Sequence, residues 1–452
     1  VPFLSDIAQQ FLREHPDTAF VDVMIADING VLRGKRMAAA SLAKVYHGEF
    51  VMPISLFATQ ITGDCVEQTG LVLETGDTDM ACLPVDDTLS LSAWQRKPMA
   101  QLLVAMQDEK GAPLPFDPRQ VLRKSIERLA ARGLTAVVAI ELEFYLCDRE
   151  RDVNGKPQPP LSPVTGLRNN DTQVYGLIEL DEYQALVDDI ASIAASQGIP
   201  ATTAVAEYAP GQFEINLQHV ADPMLACDHG ILLKRLIKGV AARHGYDASF
   251  MAKPYSHLAS SGLHVHISLL DEHGQNIFRE GVDSVPLKHA VAGLLRNMND
   301  SLLLYAPHGN SYHRYESGGY VPMAPGWGFN NRTVAVRIPG SKPDDTRIEH
   351  RLGGADANPY LATAGIIAGI LDGLEQHKLP PPAIAGNAHK QLSASIPATW
   401  HAAIECFANS EFCRGYLGEE FCEVYAAVKR SECEMYSSII PAFEYDWYFR
   451  TT

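Results

Sequence analysis

The sequence predicts an α+β protein in two parts, and three observations carry that reading. The first hundred residues hold strand-length apolar runs separated by turn residues. Beyond Gly111-Ala112-Pro113-Leu114-Pro115, short alternating segments are mixed with longer stretches of helical period. The mixture is not a regular βαβ alternation, and neither a G-x-G-x-x-G nor a Walker A sequence is present. The composition shift near residue 112 divides the chain into an N-terminal domain, 1–112, and a larger C-terminal domain, 113–452.

Taken in order, residues 20–27 form an apolar run that ends in Asn29-Gly30, a strong hairpin signal. A return strand leads into Arg33-Gly34-Lys35-Arg36, a basic turn. Asp117-Pro118 pairs an N-cap with proline at the first helical position. Val121, Leu122, Ile126, Leu129 and Ala130 follow at helical spacing, and Gly133 closes the helix. Helices are also predicted over 183–197 and 226–244, loops over 151–170 and 376–390, and a helical tail over 398–437.

Four segments share a strand pattern with chemistry on one face. Alternate side chains of a strand point to opposite faces. In 139–146, Glu141, Glu143 and Tyr145 therefore oppose Ile140, Leu142, Phe144 and Leu146. In 262–269, His264, His266 and Ser268 oppose Leu263, Val265, Ile267 and Leu269. In 333–338, Ala335 and Arg337 oppose Val334, Val336 and Ile338, and in 347–351 Arg347, Glu349 and Arg351 share a face. A solvated face would favour Lys, Thr, Ser and Gln, whereas these carry Glu, His and Arg. Glu207 and Glu214 flank a Pro210-Gly211 turn and enlarge the acidic set.

Glu141, Glu143, Glu207, Glu214 and Glu349 would repel one another unless cations sat among them. Oxygen-rich ligation with one imidazole, His264, suits Mg²⁺ or Mn²⁺ better than zinc or copper, and charge balance asks for two or more ions. Arg314, Arg332, Arg337, Arg347 and Arg351 supply forks for carboxylate and phosphate oxygens. Divalent metals beside an arginine cluster point to phosphoryl transfer.

The rest of the composition excludes other classes. A chain of 452 residues with 46% hydrophobic and 20% charged residues folds around a large core without disulfides. A net charge of −17 argues against a general nucleic-acid binder. No apolar run reaches the ~18 residues of a membrane span, and Val1-Pro2-Phe3-Leu4 lacks the features of a signal peptide. Eight cysteines without a C-x-x-C pair read as reduced thiols of a cytoplasmic protein.

The order of these fragments resembles the glutamine synthetase family over nearly the whole chain. The resemblance is carried by Asn29-Gly30-Val31-Leu32-Arg33-Gly34-Lys35-Arg36, Glu141-Leu142-Glu143-Phe144, the Glu207 to Glu214 stretch, Ser261-Gly262-Leu263-His264-Val265-His266-Ile267-Ser268, Asn310-Ser311-Tyr312-His313-Arg314, Asn331-Arg332 and Arg347-Ile348-Glu349-His350-Arg351, running into Ala357-Asn358-Pro359-Tyr360. It implies a small N-terminal β-grasp and a C-terminal curved antiparallel sheet backed by helices. It implies formation of γ-glutamyl amides through ATP-dependent phosphorylation of L-glutamate. By motif, Glu143, Glu207 and Glu214 would hold the metal near the glutamate. Glu141, His264 and Glu349 would hold the metal on the ATP phosphates. His266, Ser268, Arg337 and Arg347 would contact ATP. Arg314, Arg351 and Gly262 would contact glutamate, and Arg332 would stabilise the transferring phosphoryl group. The resemblance also implies two stacked rings, commonly of twelve subunits, with active sites shared between neighbours.

Departures from the ammonium-using pattern select the acceptor. The Asp-Gly-Ser-Ser stretch of that pattern is replaced by Phe50-Val51-Met52-Pro53-Ile54-Ser55. Its flap glutamate falls on Tyr320, within Gly318-Gly319-Tyr320-Val321-Pro322. An aromatic residue suits the alkyl part of an organic amine. With Trp327-Gly328 ahead of Asn331-Arg332, the sequence resembles the branch that glutamylates polyamines and other amines. For a diamine, Asp64 and Glu67 are candidates for a distal ammonium. Ala259-Ser260-Ser261 stands where Asn-Gly-Ser is frequent, Asp344 replaces a lysine near ATP, and no adenylylation tyrosine matches in 376–395. The alternatives are a glutamine synthetase using ammonium and a noncatalytic relative that keeps the fold.

Overall fold

The computed structural model describes residues 3–169, 171, 173–316, 319–340 and 342–452. Its strands are β1 Phe20–Ala26, β2 Leu32–Ala38, β3 Val51–Pro53, β4 Asp79–Pro84, β5 Ser90–Leu91 and β6 Met99–Met106, followed by β7 Thr135–Asp148, β8 Ala201–Ala206, β9 Gln212–Leu217, β10 Tyr246–Ser249, β11 Leu263–Leu270, β12 Trp327–Phe329, β13 Val336–Ile338 and β14 Ile348–His350. Among the described residues they form two sheets with no shared strand, ordered β2-β1-β6-β4-β3 (β5 on β6) and β12-β13-β14-β11-β7-β9-β8 (β10 on β7).

In the first sheet β1 runs parallel to β6, and β6 is buried along almost its whole length, as a strand covered on both faces must be. The Asn29-Gly30 hairpin joins β1 to β2. Asp27 organises it, accepting from the backbone N–H groups of Asn29 and Val31 at 2.9 Å each. The turn then docks on the second half of the chain. Asn358 Nδ2 donates to Asp27 O at 3.1 Å, and Asn29 Oδ1 accepts from the buried Lys429. The stretch Arg33 to Arg36, expected as a basic turn, lies within β2 and is not solvated throughout: Arg33 pairs with Asp27 at 2.6 Å and Arg36 with Asp22 at 2.7 Å.

The second sheet is antiparallel except for β12 and β13. Its apolar side packs against the helices Pro118–Ala130 and Pro223–Arg243, and both of these pack in turn against the helix Pro359–Gln376. The last of these contains the longest apolar run of the sequence, and nearly every residue in it is buried. It is an interior helix, and no described helix is long and apolar enough to cross a membrane. An ion pair between Arg119 and Asp228 lies inside this layer, with Tyr360 Oη donating to Asp228 at 2.6 Å. The predicted cap is present, since the Asp117 carboxylate accepts from Arg119 N at 2.9 Å.

Several expectations shift. The tail is three helices, Trp400–Ala408, Glu411–Leu417 and Glu419–Ser438, broken at the Ser410 N-cap and at Gly418. An N-terminal helix, Phe3–Glu14, was not anticipated by the strand-rich reading. The strand expected over 333–338 contracts to β13, because Asn331 Oδ1 accepts from both Thr333 N and Thr333 Oγ1 and bends the chain locally. The strand expected over 347–351 contracts to β14. The eight cysteines are free thiols.

Candidate active site

Register brings the chemical faces together. Across β11 and β7 His264 stands opposite Glu141; across β11 and β14 His266 stands opposite Glu349; across β7 and β9 Glu143 stands opposite Glu214. Directly opposed residues on one face have Cβ atoms about 4.5–5.5 Å apart, so three strand pairings suffice to gather six Glu and His side chains. Two groups result, Glu141–His264–Glu349 and Glu143–Glu214–His264, each with ligand atoms within 4.8 Å of one another. The first is the set expected on the nucleotide side. In the second, His264 takes the place expected for Glu207.

Two glycines permit this crowding. Gly211 lies at φ +73° in the β8–β9 turn, and a Cβ there would meet Pro160 Cδ at 2.5 Å. That turn carries Glu207 to the site, with Glu207 N donating to Gln212 O at 2.8 Å. Gly262 donates its backbone N–H to Glu143 Oε2 at 2.7 Å, and a Cβ on it would stand 2.9 Å from His264 Nε2.

Hydrogen bonds set orientation. His266 Nε2 lies 2.5 Å from Glu141 Oε2, and His264 Nδ1 lies 3.2 Å from Glu141 Oε1. Arg347 Nε donates to His266 Nδ1 at 3.1 Å, which assigns the imidazole proton to Nε2, facing Glu141. Glu349 accepts from Arg337 at 2.5 Å and also from Arg351. Arg314 donates to Leu352 O at 2.8 Å. Among the described residues none partners the buried Nε atoms of Arg314, Arg337 and Arg351.

The carboxylates are held in different states. Burial would raise Glu349, but Arg351 and, behind it, the two histidines outweigh that and hold it at about 2. Burial would also raise Glu141, and its hydrogen bonds with His264 and His266 keep it well below the usual range. Glu214 is pushed up to about 10 by burial and then by Glu141, Glu143 and Glu207. Glu207 rises to about 7 by burial, Glu143 and Glu141, with Arg332 pulling the other way. A buried oxygen set with one imidazole and too few cations of its own fits hard divalent ions. The residues therefore fit the metals that the sequence implies.

A cavity of about 450 Å³ opens on this cluster. Glu141, Glu143, Glu207, Glu214, His264, Arg314, Arg332, Arg351 and Tyr320 line it. Gly262, Glu349, His266, Ser268, Arg337 and Arg347 are not on its wall; Gly262, Glu349 and His266 bond directly to wall residues, Arg337 and Arg347 to Glu349 and His266 behind them. Ser268 is buried two residues further along β11. Gly318 of the flap motif lies outside the described residues, and residues 50–64 with Glu67 do not line the cavity of the same chain. Sequence reasoning missed Tyr175, Tyr208, Gln212, Lys253 and Glu316, which also line it. Tyr208 could have been found, since it follows Glu207 directly. A larger cavity of about 770 Å³, between the Asn29-Gly30 turn, β10 and the helix Glu419–Ser438, holds neither ligand group, so the chemistry belongs to the smaller one.

Comparison with known proteins gives the same picture. Residues 115–448 match the family described as "Glutamine synthetase, catalytic domain". The "Gamma-glutamylputrescine synthetase PuuA" of Escherichia coli (strain K12) is 44% identical over 441 residues, 97% of this chain and 93% of that protein. The "Gamma-glutamylethanolamide synthetase GlnA4" of Streptomyces coelicolor (strain ATCC BAA-471 / A3(2) / M145) is 32% identical over 439 residues, 95% of this chain and 92% of that one. The solved structure "GmaS/ADP complex-Conformation 1" superposes with a TM-score of 0.84 at 25% identity, covering 98% of this chain and 99% of that chain.

Proposed function

The chain belongs to the glutamine synthetase family, and on that premise we propose that it joins the γ-carboxylate of L-glutamate to the nitrogen of an organic amine, a mono-, di- or polyamine, with hydrolysis of ATP to ADP and phosphate. The observation that carries the acceptor is Tyr320. It stands on the wall of the ligand-lined cavity where the ammonium-using pattern has a glutamate. The relatives named for putrescine and ethanolamide products support the same acceptor class.

The chemistry follows from the cluster. A carboxylate is a poor electrophile, and transfer of the γ-phosphoryl group to its oxygen supplies a leaving group. The amine then attacks the carbonyl carbon of the γ-carboxyl group, phosphate departs, and the nitrogen loses a proton. Mg²⁺ or Mn²⁺, held by Glu141, His264 and Glu349 on one side and by Glu143, Glu214 and Glu207 on the other, would spread the charge that develops on phosphate oxygens. Arg332, on the cavity wall, would stabilise the transferring group, and Arg314, Arg351 and the Gly262 backbone would orient glutamate. His266, Ser268, Arg337 and Arg347 lie off that wall and would serve the nucleotide. The relative solved with ADP supports a nucleotide site in this fold.

A double ring of commonly twelve copies with shared sites, a cytoplasmic location for the free thiols, and a division into domains at residue 112 complete the reading. The two separate sheets support that division. Phosphate release measured with ATP, L-glutamate and Mg²⁺ tests the function. Turnover with an organic amine and little with ammonium is expected. Efficient turnover with ammonium would make the chain a glutamine synthetase, and silence on every acceptor would favour a noncatalytic relative.

A further inference from the structure

The cavity wall carries features that neither the metal ligands nor the arginines account for. Tyr208 and Tyr320 face each other with ring centroids 5.9 Å apart and planes at 42°. Both remain substantially open, at 42% and 52% exposure. Glu316 lines the same cavity. Its carboxylate is 60% exposed and has one cationic neighbour among the described residues, Lys253 Nζ at 3.6 Å. That distance is beyond a hydrogen bond, and Lys253 itself is only 10% exposed. Glu316 therefore keeps acceptor capacity toward the cavity.

Paired open rings and a solvent-facing carboxylate match one kind of ligand. Aromatic faces accept methylene groups and attract ammonium, while a carboxylate takes a second ammonium by a charge-assisted hydrogen bond. The chain position of Tyr208 fixes the polarity of the arrangement, because the adjacent Glu207 belongs to the reacting end. Resting on the amine-ligase reading above, we propose that Tyr208 and Glu316 select the acceptor. Tyr208 and Tyr320 together offer one aromatic wall along which an aliphatic chain lies, and Glu316 binds a distal ammonium, so the preferred substrate is an aliphatic diamine. One nitrogen is neutral and attacks; the other stays protonated at Glu316. Glu316 supplies, from the chain's own cavity, the kind of distal carboxylate for which Asp64 and Glu67 are the sequence candidates.

The test is steady-state phosphate release by the full chain with Mg²⁺, ATP and L-glutamate, comparing 1,4-diaminobutane, butylamine and ammonium. The wild type should use diaminobutane at least about tenfold more efficiently than butylamine. Glu316→Gln should lower kcat/KM for diaminobutane about tenfold more than for butylamine, chiefly through KM, with KM for ATP and glutamate held. Tyr208→Ala should raise KM for both alkyl amines about tenfold, and Tyr208→Phe should restore most of it. KM for ATP serves as the folding control in each variant. An unchanged diamine-to-monoamine ratio in Glu316→Gln overturns the distal site, and an unchanged amine KM in Tyr208→Ala overturns the aromatic wall. Preference of the wild type for ammonium over both amines is a different result, and it overturns the amine-ligase reading itself.

Discussion

Glu349 and Glu214 lie in one sheet, at 1% and 7% exposure, and are held in opposite states. Glu349 is gripped by Arg337 and Arg351 and held at about 2; Glu214 faces Glu141, Glu143 and Glu207 and is pushed up to about 10. Burial is common to both, so the neighbours decide. The β14 side of the cluster is charge-balanced by the protein's own arginines. The β9 side is a set of carboxylates that the protein's own cations do not balance, so either protons or a bound cation must. The fold thus stores stability on one side and binding capacity on the other.

Removing a carboxylate from each side should break the comparison most visibly. Glu349→Ala leaves two buried guanidinium groups without their shared partner, and loss of one member of a buried pair costs about 3–5 kcal/mol. A drop in Tm of the metal-free protein is expected, together with loss of at least about 10³-fold in turnover, since a proposed ligand goes too. Glu214→Gln should abolish turnover similarly but raise the Tm of the metal-free protein at pH 7 and above, because Glu214 must take up a proton to fold there and Gln need not. Calorimetry of both variants after chelation checks the sign, and a fall in Tm for both would mean that the β9 side is not strained.

The pH dependence of metal stabilisation sharpens the same contrast. Glu207 and Glu214 have folded pKa values of about 7 and about 10, above the ordinary 4.5. Their contribution to the stability of the metal-free protein is therefore complete below 4.5 and lost as pH rises through those values. Bound divalent ions need the carboxylates ionised and reverse the loss. The Tm increase produced by saturating Mg²⁺ should be larger at about pH 8.5 than at about pH 5.5, at fixed protein concentration. An equal increase at both values would show that these groups are not the ion's ligands.

Legibility in the sequence followed the same divide. Glu141, Glu143, His264 and His266 were readable because a strand's two-residue period declares a face, and antiparallel pairing then sums the faces. Glu207, in a turn, was readable from its Pro-Gly neighbour, yet its distance from the ligand groups was not. Tyr175, Lys253 and Glu316 lie in irregular segments with no period to reveal them. The contraction of 333–338 to β13 depended on one side chain, Asn331, capturing backbone and hydroxyl donors. The docking of the Asn29-Gly30 turn on Asn358 and Lys429 joins residues hundreds of positions apart, and no local pattern encodes it.

The smallest expected effect concerns how the two arginines divide Glu349. Arg351 is the nearer to full burial, with its side chain 6% exposed against 13% for Arg337. Arg351 is also the largest lowering influence on the Glu349 carboxyl. Arg337→Met should leave Glu349 ionised at neutral pH, held by Arg351, and cost about 1.5–3 kcal/mol through one lost charge-assisted hydrogen bond. The folded pKa of Glu349 lies below the unfolded one, so its stabilisation is present above about 4.5 and is lost as pH falls toward about 2. Raising that folded value narrows the window, and the acid limb of the stability curve should begin at higher pH in Arg337→Met than in the wild type. Acid titration of the metal-free variants by circular dichroism reads that shift. An acid limb that does not move would leave Arg351 as the sole anchor of Glu349 and Arg337 free for the nucleotide role proposed for it.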